Sequence, residues 1–199
     1  MSLADRSRTM TPDSEASAPP PRVFRAVEEV LTAVGEPLGP SRWREVSQHT
    51  VDRFAELTGD DQWIHVDRDR AARSTFGGTI AHGFLTLALI PALSRDLYAI
   101  ELGSARINYG LERVRFPAPL PVGARVRGTA TLRRVRPVEA GVQLLVHWVL
   151  ESDRGGRPVC VADALTLLVT DAATRDALLD AGARTDAPGP TPAPAPPRD

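Results

Sequence analysis

Hydrophobic residues recur with a helical period in the first half of the chain and alternate with polar residues in the second half. The helical period predicts three helices, over residues 24–34, 51–58 and 82–97. Gly35 and Gly59 are expected to end the first two, because glycine readily adopts the left-handed conformation that closes a helix. Thr50 and Asp67 are the expected N-caps of the second helix and of a short further helix that runs to Arg73. A short strand is predicted over residues 42–47 and an irregular segment over residues 60–66.

Past Gly103 the alternation predicts antiparallel strands separated by glycine-containing turns. The strands are expected over residues 105–116, 122–133, 142–150 and 159–169. In the first of them the apolar positions change register near Glu112 and Arg113, which indicates a β-bulge.

The helix predicted over residues 82–97 is the most apolar segment of the chain. Apolar side chains surround it, so it is expected to be buried on most sides, and Pro91 is expected to kink it or split off its last turn. Helices followed by antiparallel strands indicate the α+β class. The simplest arrangement wraps a curved antiparallel sheet around this central apolar helix, because the helix has no other place to bury so much apolar surface.

The chain length of 199 residues suits one well-buried domain, and 42% apolar and 25% charged residues are ordinary for a globular protein. That domain is predicted over residues 22–175. Residues 1–21 are polar and end in prolines, and residues 176–199 form a tail rich in proline and alanine. Neither tail can bury enough apolar surface to offset its ordering entropy, so both are expected to be disordered or extended. The proline tail is expected to be solubilising, with partner binding as the alternative.

Charge and hydropathy narrow the range of partners. A net charge of −1 provides no electrostatic basis for binding nucleic acid or an anionic membrane. The N-terminal segment lacks the apolar core of a secretory signal, and the most apolar run, residues 84–93, is too short to cross a bilayer. These features predict a cytoplasmic protein. The single cysteine, Cys160, rules out an intrachain disulfide and is expected to be a buried strand residue, with a nucleophilic role as the alternative.

Candidate chemistry concentrates between the second helix and the apolar helix. Asp60 and His65 lie five residues apart, and a glycine-rich turn containing Gly78 then leads to His82 and Gly83 at the start of the apolar helix. A carboxylate and an imidazole facing a helix N-terminus can add or remove water next to a carbonyl, because one side chain moves a proton while backbone N–H groups hold the oxyanion. A purely structural interpretation is that Asp60 caps the turn that follows it and His65 is a hydrogen-bonded loop histidine.

Three motifs follow one another along the chain. The first reads aromatic, small residue, Gly-Asp, hydrophobic and His, at positions Phe54, Thr58, Gly59, Asp60, Ile64 and His65. The second is Ala81-His82-Gly83-Phe84-Leu85, and the third is the strand at residues 108–116 with Pro-Val-Gly at 121–123. Over residues 40–170 these motifs resemble the MaoC-like dehydratases, also called (R)-specific enoyl-CoA hydratases, which have the hot-dog fold.

Three positions depart from the pattern of that family. Gln62 stands where the family usually has asparagine, Trp63 where it usually has proline, and Ala88 where some relatives have a serine near the catalytic water. Gln62 still offers an amide that can orient a neighbour, and Trp63 can shape the acyl entrance. Thr86 is the hydroxyl nearest to position 88 in the sequence.

The resemblance implies a hydro-lyase of fatty-acid metabolism that reversibly hydrates trans-2-enoyl-CoA to (R)-3-hydroxyacyl-CoA. By this analogy Asp60 and His65 hold one water, deliver its oxygen to C3 and return a proton to C2. The backbone N–H of Gly83 is expected to stabilise the charge on the thioester oxygen. Gln62, Gly78 and His82 are further candidates for binding substrate.

The resemblance also implies a homodimer with active sites at the subunit interface, an acyl-CoA thioester as substrate, and no metal or redox cofactor. The sequence has four histidines, one cysteine and no ligand cluster at metal spacing. For His82, a structural role in fixing the turn at Gly83 is the alternative to substrate contact. A hot-dog acyl-CoA thioesterase and a non-catalytic acyl-CoA-binding subunit are the alternative functions.

Overall fold

A six-stranded sheet with helices on its flanks dominates the computed structural model, which describes residues 20–180. The strands are β1 (Arg22–Phe24), β2 (Pro37–Leu38), β3 (Arg44–Glu45), β4 (Tyr98–Ile100), β5 (Ala105–Arg115), β6 (Arg125–Val138), β7 (Gly141–Ser152) and β8 (Cys160–Val169). The helices are α1 (Val27–Thr32), α2 (Gln48–Thr58), α3 (Trp63–Val66), α4 (Arg68–Ala72), α5 (Gly83–Ala88), α6 (Ile90–Ser94) and α7 (Ala172–Asp180). The predicted α+β class is confirmed.

Antiparallel pairing joins the strands of the main sheet in the order β2-β6-β7-β8-β5, with β3 also paired to β6. β1 and β4 form a separate parallel pair. Two register shifts interrupt the β5–β8 ladder, one at Tyr109 and one at Glu112, which confirms the bulge predicted near Glu112. A further shift in β6 lies between Leu132 and Arg134.

The inner face of the sheet carries the core, and large residues there oppose small ones. Trp148 of β7 is fully buried and stands opposite Ala130 of β6 and Ala162 of β8, whose small side chains leave room for the indole. A Cβ at Gly128 would lie 3.3 Å from Cδ1 of Leu93 and 3.5 Å from the Trp148 ring. Glycine at this position therefore lets α6 pack closely on the sheet.

The segment predicted as one apolar helix over residues 82–97 forms two helices, α5 and α6, which meet at Leu89. Pro91 lies in the first turn of α6, where its missing N–H removes no helical hydrogen bond, so the predicted interruption is confirmed. Burial is one-sided. Leu85 and Leu93 are buried, whereas Phe84 is 70% exposed, so the expectation of burial on most sides is not met within a single chain.

The first helices differ from the prediction at their beginnings. α1 starts later than residue 24, because Phe24 belongs to β1 and pairs with Ile100 of β4. α2 starts at Gln48, and its N-cap is Ser47, whose hydroxyl accepts a hydrogen bond from the Thr50 N–H. Thr50 is therefore a residue of the first turn and not the predicted cap.

Between α2 and α5 the chain is more regular than predicted. Gly59 ends α2 in the left-handed conformation with φ 73°, as expected. Residues 60–66, predicted to be irregular, contain the single helical turn α3. Asp67 caps α4 by accepting a hydrogen bond from the Arg70 N–H, which confirms that prediction. The strand predicted over residues 42–47 is shorter and covers only β3.

The C-terminal helix α7 continues five residues past the domain boundary predicted at residue 175. Leu178 is 2% exposed and lines an apolar gap together with Val30 of α1 and Val135 of β6. The folded part of the chain therefore includes α7. The predictions for residues 1–19 and 181–199 lie outside the described residues.

Cys160 is buried on the inner face of β8, and burial raises the pKa of its thiol to about 11. The predicted position of Cys160 as a buried strand residue is confirmed. None of the helices within residues 20–180 combines the length and the apolar character needed to span a membrane.

Candidate active site

Asp60 follows directly on the glycine that ends α2. Because Gly59 turns the chain with positive φ, Asp60 leaves the helix axis and its side chain is exposed. Its backbone N–H donates a long hydrogen bond, 3.4 Å, to Oγ1 of Thr58, whose hydroxyl in turn donates to the carbonyl of Phe54. Within residues 20–180 the Asp60 carboxylate accepts no hydrogen bond, so its oxygens remain available to a substrate or a water.

His65 lies in α3 and is buried, with 7% of its surface exposed. Its Nδ1 lies 2.7 Å from the carbonyl oxygen of Ile80. A carbonyl only accepts, so Nδ1 carries the proton and Nε2 presents a lone pair. The Ile80 N–H donates to the carbonyl of Ile64 at 3.0 Å. Both backbone polar groups of Ile80 therefore bind α3, one through Ile64 and the other through the His65 ring. No other group within residues 20–180 contacts Nε2 by a hydrogen bond.

The backbone of His65 is held by Gln48, a residue that no pattern in the sequence predicted. Nε2 of Gln48 donates to the carbonyl of His65 at 2.8 Å and to Oδ1 of Asp52 at 2.7 Å. Oε1 of Gln48 accepts from the Thr79 hydroxyl at 2.5 Å. This one amide therefore ties α2, α3 and the strand-like segment before α5 together. No local sequence signal distinguishes Gln48 from an ordinary helix-surface residue.

Burial lowers the pKa of His65 from its ordinary value of 6.5, because an imidazolium loses solvation there. The hydrogen bond to Ile80 and the charge of Asp60 act in the opposite direction, and the charge of His82 adds to the lowering. The imidazole is therefore neutral at pH 7, with Nε2 able to accept a proton.

His82 is 1% exposed, and its ring stacks on that of His65 with centroids 3.8 Å apart and planes inclined by 27°. Its Nε2 lies 2.8 Å from the backbone carbonyl oxygen of Asp60. Phe54 packs against the same ring, with centroids 5.0 Å apart. The structure thus places His82 in contact with both members of the predicted acid–base pair, while the fixing of the Gly83 turn and substrate contact by His82 both stay predictions.

The remaining predicted residues surround this group. Gly83 is the first residue of α5, and a Cβ there would lie 2.8 Å from the Phe116 ring. Gly78 is half-buried, and a Cβ added to it would meet no atom within 4 Å. Gln62 is exposed and is the N-cap of α3, where its backbone carbonyl accepts from the His65 N–H at 2.9 Å. For all three, a part in substrate binding stays a prediction.

Asp60, His65 and His82 also form a cluster whose potential metal-ligand atoms lie within 4.8 Å of one another. Imidazole binds a metal through a lone pair in the plane of its ring. Two rings stacked 3.8 Å apart direct those lone pairs along separate planes instead of toward one point. The stacking therefore does not favour a metal ion shared by both imidazoles, and a reaction without a metal cofactor stays a prediction.

Comparisons with known proteins point to one family. The model of the family described as "MaoC like domain" matches residues 29–149. The 3-hydroxyacyl-thioester dehydratase Z of Mycobacterium tuberculosis (strain H37Rv) is 47% identical over 149 residues, covering 74% of this chain and 99% of that protein. Nodulation protein N of Rhizobium leguminosarum is 40% identical, covering 73% of this chain and 92% of that protein.

The solved structure of an (R)-hydratase from A. caviae superposes with a TM-score of 0.56 at 24% identity. The match covers 68% of this chain and 96% of that one. At this level of identity the likeness concerns the fold alone. It confirms the predicted hot-dog fold.

Proposed function

The chain belongs to the MaoC-like dehydratase family, and from that premise we propose that it reversibly hydrates trans-2-enoyl-CoA to (R)-3-hydroxyacyl-CoA. Membership supports hydratase or dehydratase chemistry, and the mycobacterial relative carries the name of a 3-hydroxyacyl-thioester dehydratase. The choice of CoA thioester, the (R) product and the roles of individual residues belong to the proposal.

The observation that carries the proposal is the open arrangement of Asp60 and His65. Nδ1 of His65 is occupied by the Ile80 carbonyl, which directs the lone pair of Nε2 toward a partner other than the protein backbone. A water held between Nε2 and the Asp60 carboxylate loses its proton as its oxygen attacks C3 of the enoyl thioester. The pair then returns a proton to C2, and dehydration follows the same path in reverse.

Negative charge develops on the thioester oxygen during the attack on C3. The N–H of Gly83 has no acceptor inside its own helix, because Gly83 is the first residue of α5. We assign it the role of donor to that oxygen. The reaction transfers only protons and the oxygen of water, and the proposal includes no metal or redox cofactor. We also propose that the enzyme is cytoplasmic, where acyl-CoA is available.

We further propose that the enzyme is a homodimer formed along β5. This strand is the edge of the main sheet, and its side chains are exposed except for a half-buried Val114. Three large apolar side chains on it are 46–61% exposed, those of Ile107, Tyr109 and Leu111. Such exposure is unusual for an edge strand that faces solvent. Pairing with a second copy would cover these side chains and the unpaired backbone groups. Leu111→Glu should convert the dimer to a monomer in size-exclusion chromatography with light scattering.

The test of function follows the loss of the enoyl-thioester absorbance with crotonyl-CoA. Wild type should consume the enoyl group without releasing thiol, and the product should be the (R)-3-hydroxyacyl thioester by chiral chromatography. Asp60→Ala and His65→Ala should each lose about 10²-fold or more of this activity. His147→Ala is a matched control, since it removes a histidine from the sheet.

Other outcomes would assign a different function. Release of free thiol, detected with a thiol-reactive dye, would identify a thioesterase. Tight binding of crotonyl-CoA without turnover of short or long enoyl-CoA would identify a non-catalytic acyl-CoA-binding subunit. Variants as active as wild type would show that the pair has no catalytic role.

A further inference from the structure

His82 occupies the N-cap position of α5 but does not use its side chain to cap that helix. N-cap side chains ordinarily accept a hydrogen bond from a backbone N–H of the first turn. The His82 ring instead points toward the segment that holds Asp60 and His65, and it is among the most deeply buried polar side chains of residues 20–180. Helix capping therefore does not explain why the imidazole of His82 is buried.

Two contacts of the ring reach the two members of the acid–base pair. Nε2 faces the Asp60 carbonyl at 2.8 Å, so Nε2 carries the proton and donates it in this hydrogen bond. The flat side of the ring covers His65, with centroids 3.8 Å apart. Asp60 and His65 have no hydrogen bond to each other, so His82 is the side chain that links them within the described part of the chain.

The ring is itself held in place. Phe54 of α2 packs against it, and the Thr86 hydroxyl donates to the His82 carbonyl at 3.1 Å. Nδ1 of His82 is buried and has no hydrogen-bond partner within residues 20–180. The hydrogen bond to Asp60 and the stacking on His65 therefore do not depend on that atom. The ring is therefore positioned by packing and by one directional hydrogen bond.

We propose that His82 is a positioning residue that fixes Asp60 relative to His65 through the hydrogen bond from its Nε2–H to the Asp60 carbonyl and through its stacking on His65. This role rests on the proposed hydratase function. Asp60 has only a long backbone hydrogen bond to Thr58 on its own side of the turn, so the carbonyl contact is the stronger restraint on its main chain. Without it the carboxylate can move away from the water that Nε2 of His65 holds.

Three substitutions separate the hydrogen bond from the packing. His82→Phe keeps a flat ring against His65 and Phe54 but has no donor. His82→Gln loses the ring but places its amide N–H about as far from the backbone as the Nε2 of His82. The shorter His82→Asn places its amide N–H only about as far as Nδ1. We expect His82→Phe and His82→Asn to lower kcat about 10- to 100-fold with KM changed less than about 3-fold, since small displacements of catalytic groups cost this much.

His82→Gln should regain about 10-fold or more of the kcat lost in His82→Phe, because it restores the donor to Asp60. Thermal unfolding and circular dichroism accompany each assay. If His82→Phe fails to fold, the comparison of His82→Gln with His82→Asn decides the question. A kcat for His82→Phe equal to wild type, or a kcat for His82→Gln as low as that of His82→Asn, would overturn the proposal.

A second measurement does not require turnover. Nuclear magnetic resonance of the His65 ring protons follows its titration in wild type and in His82→Phe, with His147→Phe as control. Burial is the largest cause of the lowered pKa of His65, and of the two charged groups that act on it His82 lowers the pKa and Asp60 raises it, so replacing His82 by an uncharged ring should move the His65 titration to higher pH. An unchanged His65 titration would contradict the proposed contact. An inactive wild type whose His65 titration still depends on His82 would overturn the hydratase function while leaving the contact intact.

Discussion

Two pairs of aspartate and histidine lie in the described part of the chain, and they are built in opposite ways. On the outer face of the sheet, Nδ1 of His147 in β7 lies 2.6 Å from Oδ1 of Asp163, its direct neighbour in β8. In the candidate active site, Nδ1 of His65 binds the Ile80 carbonyl and the Asp60 carboxylate has no partner among residues 20–180. We call the first the closed pair, because its two side chains bind each other, and the second the open pair, because its two side chains do not.

The difference shows that the same two residue types can either bind each other or leave the carboxylate and one ring nitrogen without a hydrogen-bond partner among the described residues. In the closed pair the carboxylate is used by the imidazole, so both groups satisfy each other on adjacent strands. In the open pair a backbone carbonyl orients the imidazole, and the reactive atoms of both side chains are left for a third group. Backbone contacts, not residue type, therefore distinguish the two pairs.

The largest expected difference between the pairs concerns activity. Asp60→Asn and His65→Gln, which are close in shape to the wild-type residues, should lower kcat for crotonyl-CoA hydration about 10²-fold or more. Asp163→Asn and His147→Gln should leave kcat within about 2-fold of wild type, because both residues lie in the sheet and neither contacts Asp60 or His65 by a hydrogen bond. Steady-state kinetics on all four variants measures this. Equal losses in both pairs would show that the contrast between open and closed has no catalytic meaning.

Loss of the hydrogen bonds that support the backbone of the open pair should lower activity by a smaller factor. Gln48→Leu removes the amide that binds the His65 carbonyl and the Thr79 hydroxyl. Displacement of His65 should lower kcat about 10-fold. Gln143→Leu is the matched control, because Gln143 is also buried and hydrogen-bonded but lies on the outer face of the sheet. If the two variants lose the same activity, Gln48 acts through general stability.

The pH dependence of the open pair follows from the lowered pKa of His65. The proposed reaction needs the neutral imidazole, so activity should fall as pH decreases through that pKa and His65 becomes protonated. Burial favours the neutral form, and therefore the acid limb of kcat/KM should have its midpoint below the ordinary value of 6.5. A midpoint at or above 6.5, in a profile of kcat/KM against pH, would contradict this role of His65.

The smallest effect is expected for the stability of the closed pair. His147→Gln should lower the free energy of unfolding by about 0.2–1 kcal/mol, the range for a cross-strand pair that remains partly solvated. Urea denaturation followed by circular dichroism measures the change. A loss of several kcal/mol would indicate that the pair acts as a buried ionic link and not as an ordinary surface contact.

Local patterns predicted the elements in which apolar and polar residues alternate or that end in a characteristic residue. Alternation located β5 to β8, and the glycine at position 59 located the end of α2, because these features depend on neighbours only a few residues away. The same patterns missed α7 and the β1–β4 pair. These short elements form because they pack against or pair with distant segments, as Leu178 does against α1 and β6.

The amino-acid sequence alone determined the α+β class, the hot-dog resemblance and the spacing of Asp60 and His65, since all of these are carried by local periods and motifs. Only the tertiary structure decided that the imidazole of His65 is held by Ile80, that Gln48 supports its backbone, and that His82 contacts both members of the pair. These contacts join residues 15 to 22 positions apart in the chain. A hydrogen bond or a ring contact depends on where the chain returns in space, and no periodicity in the sequence encodes that return.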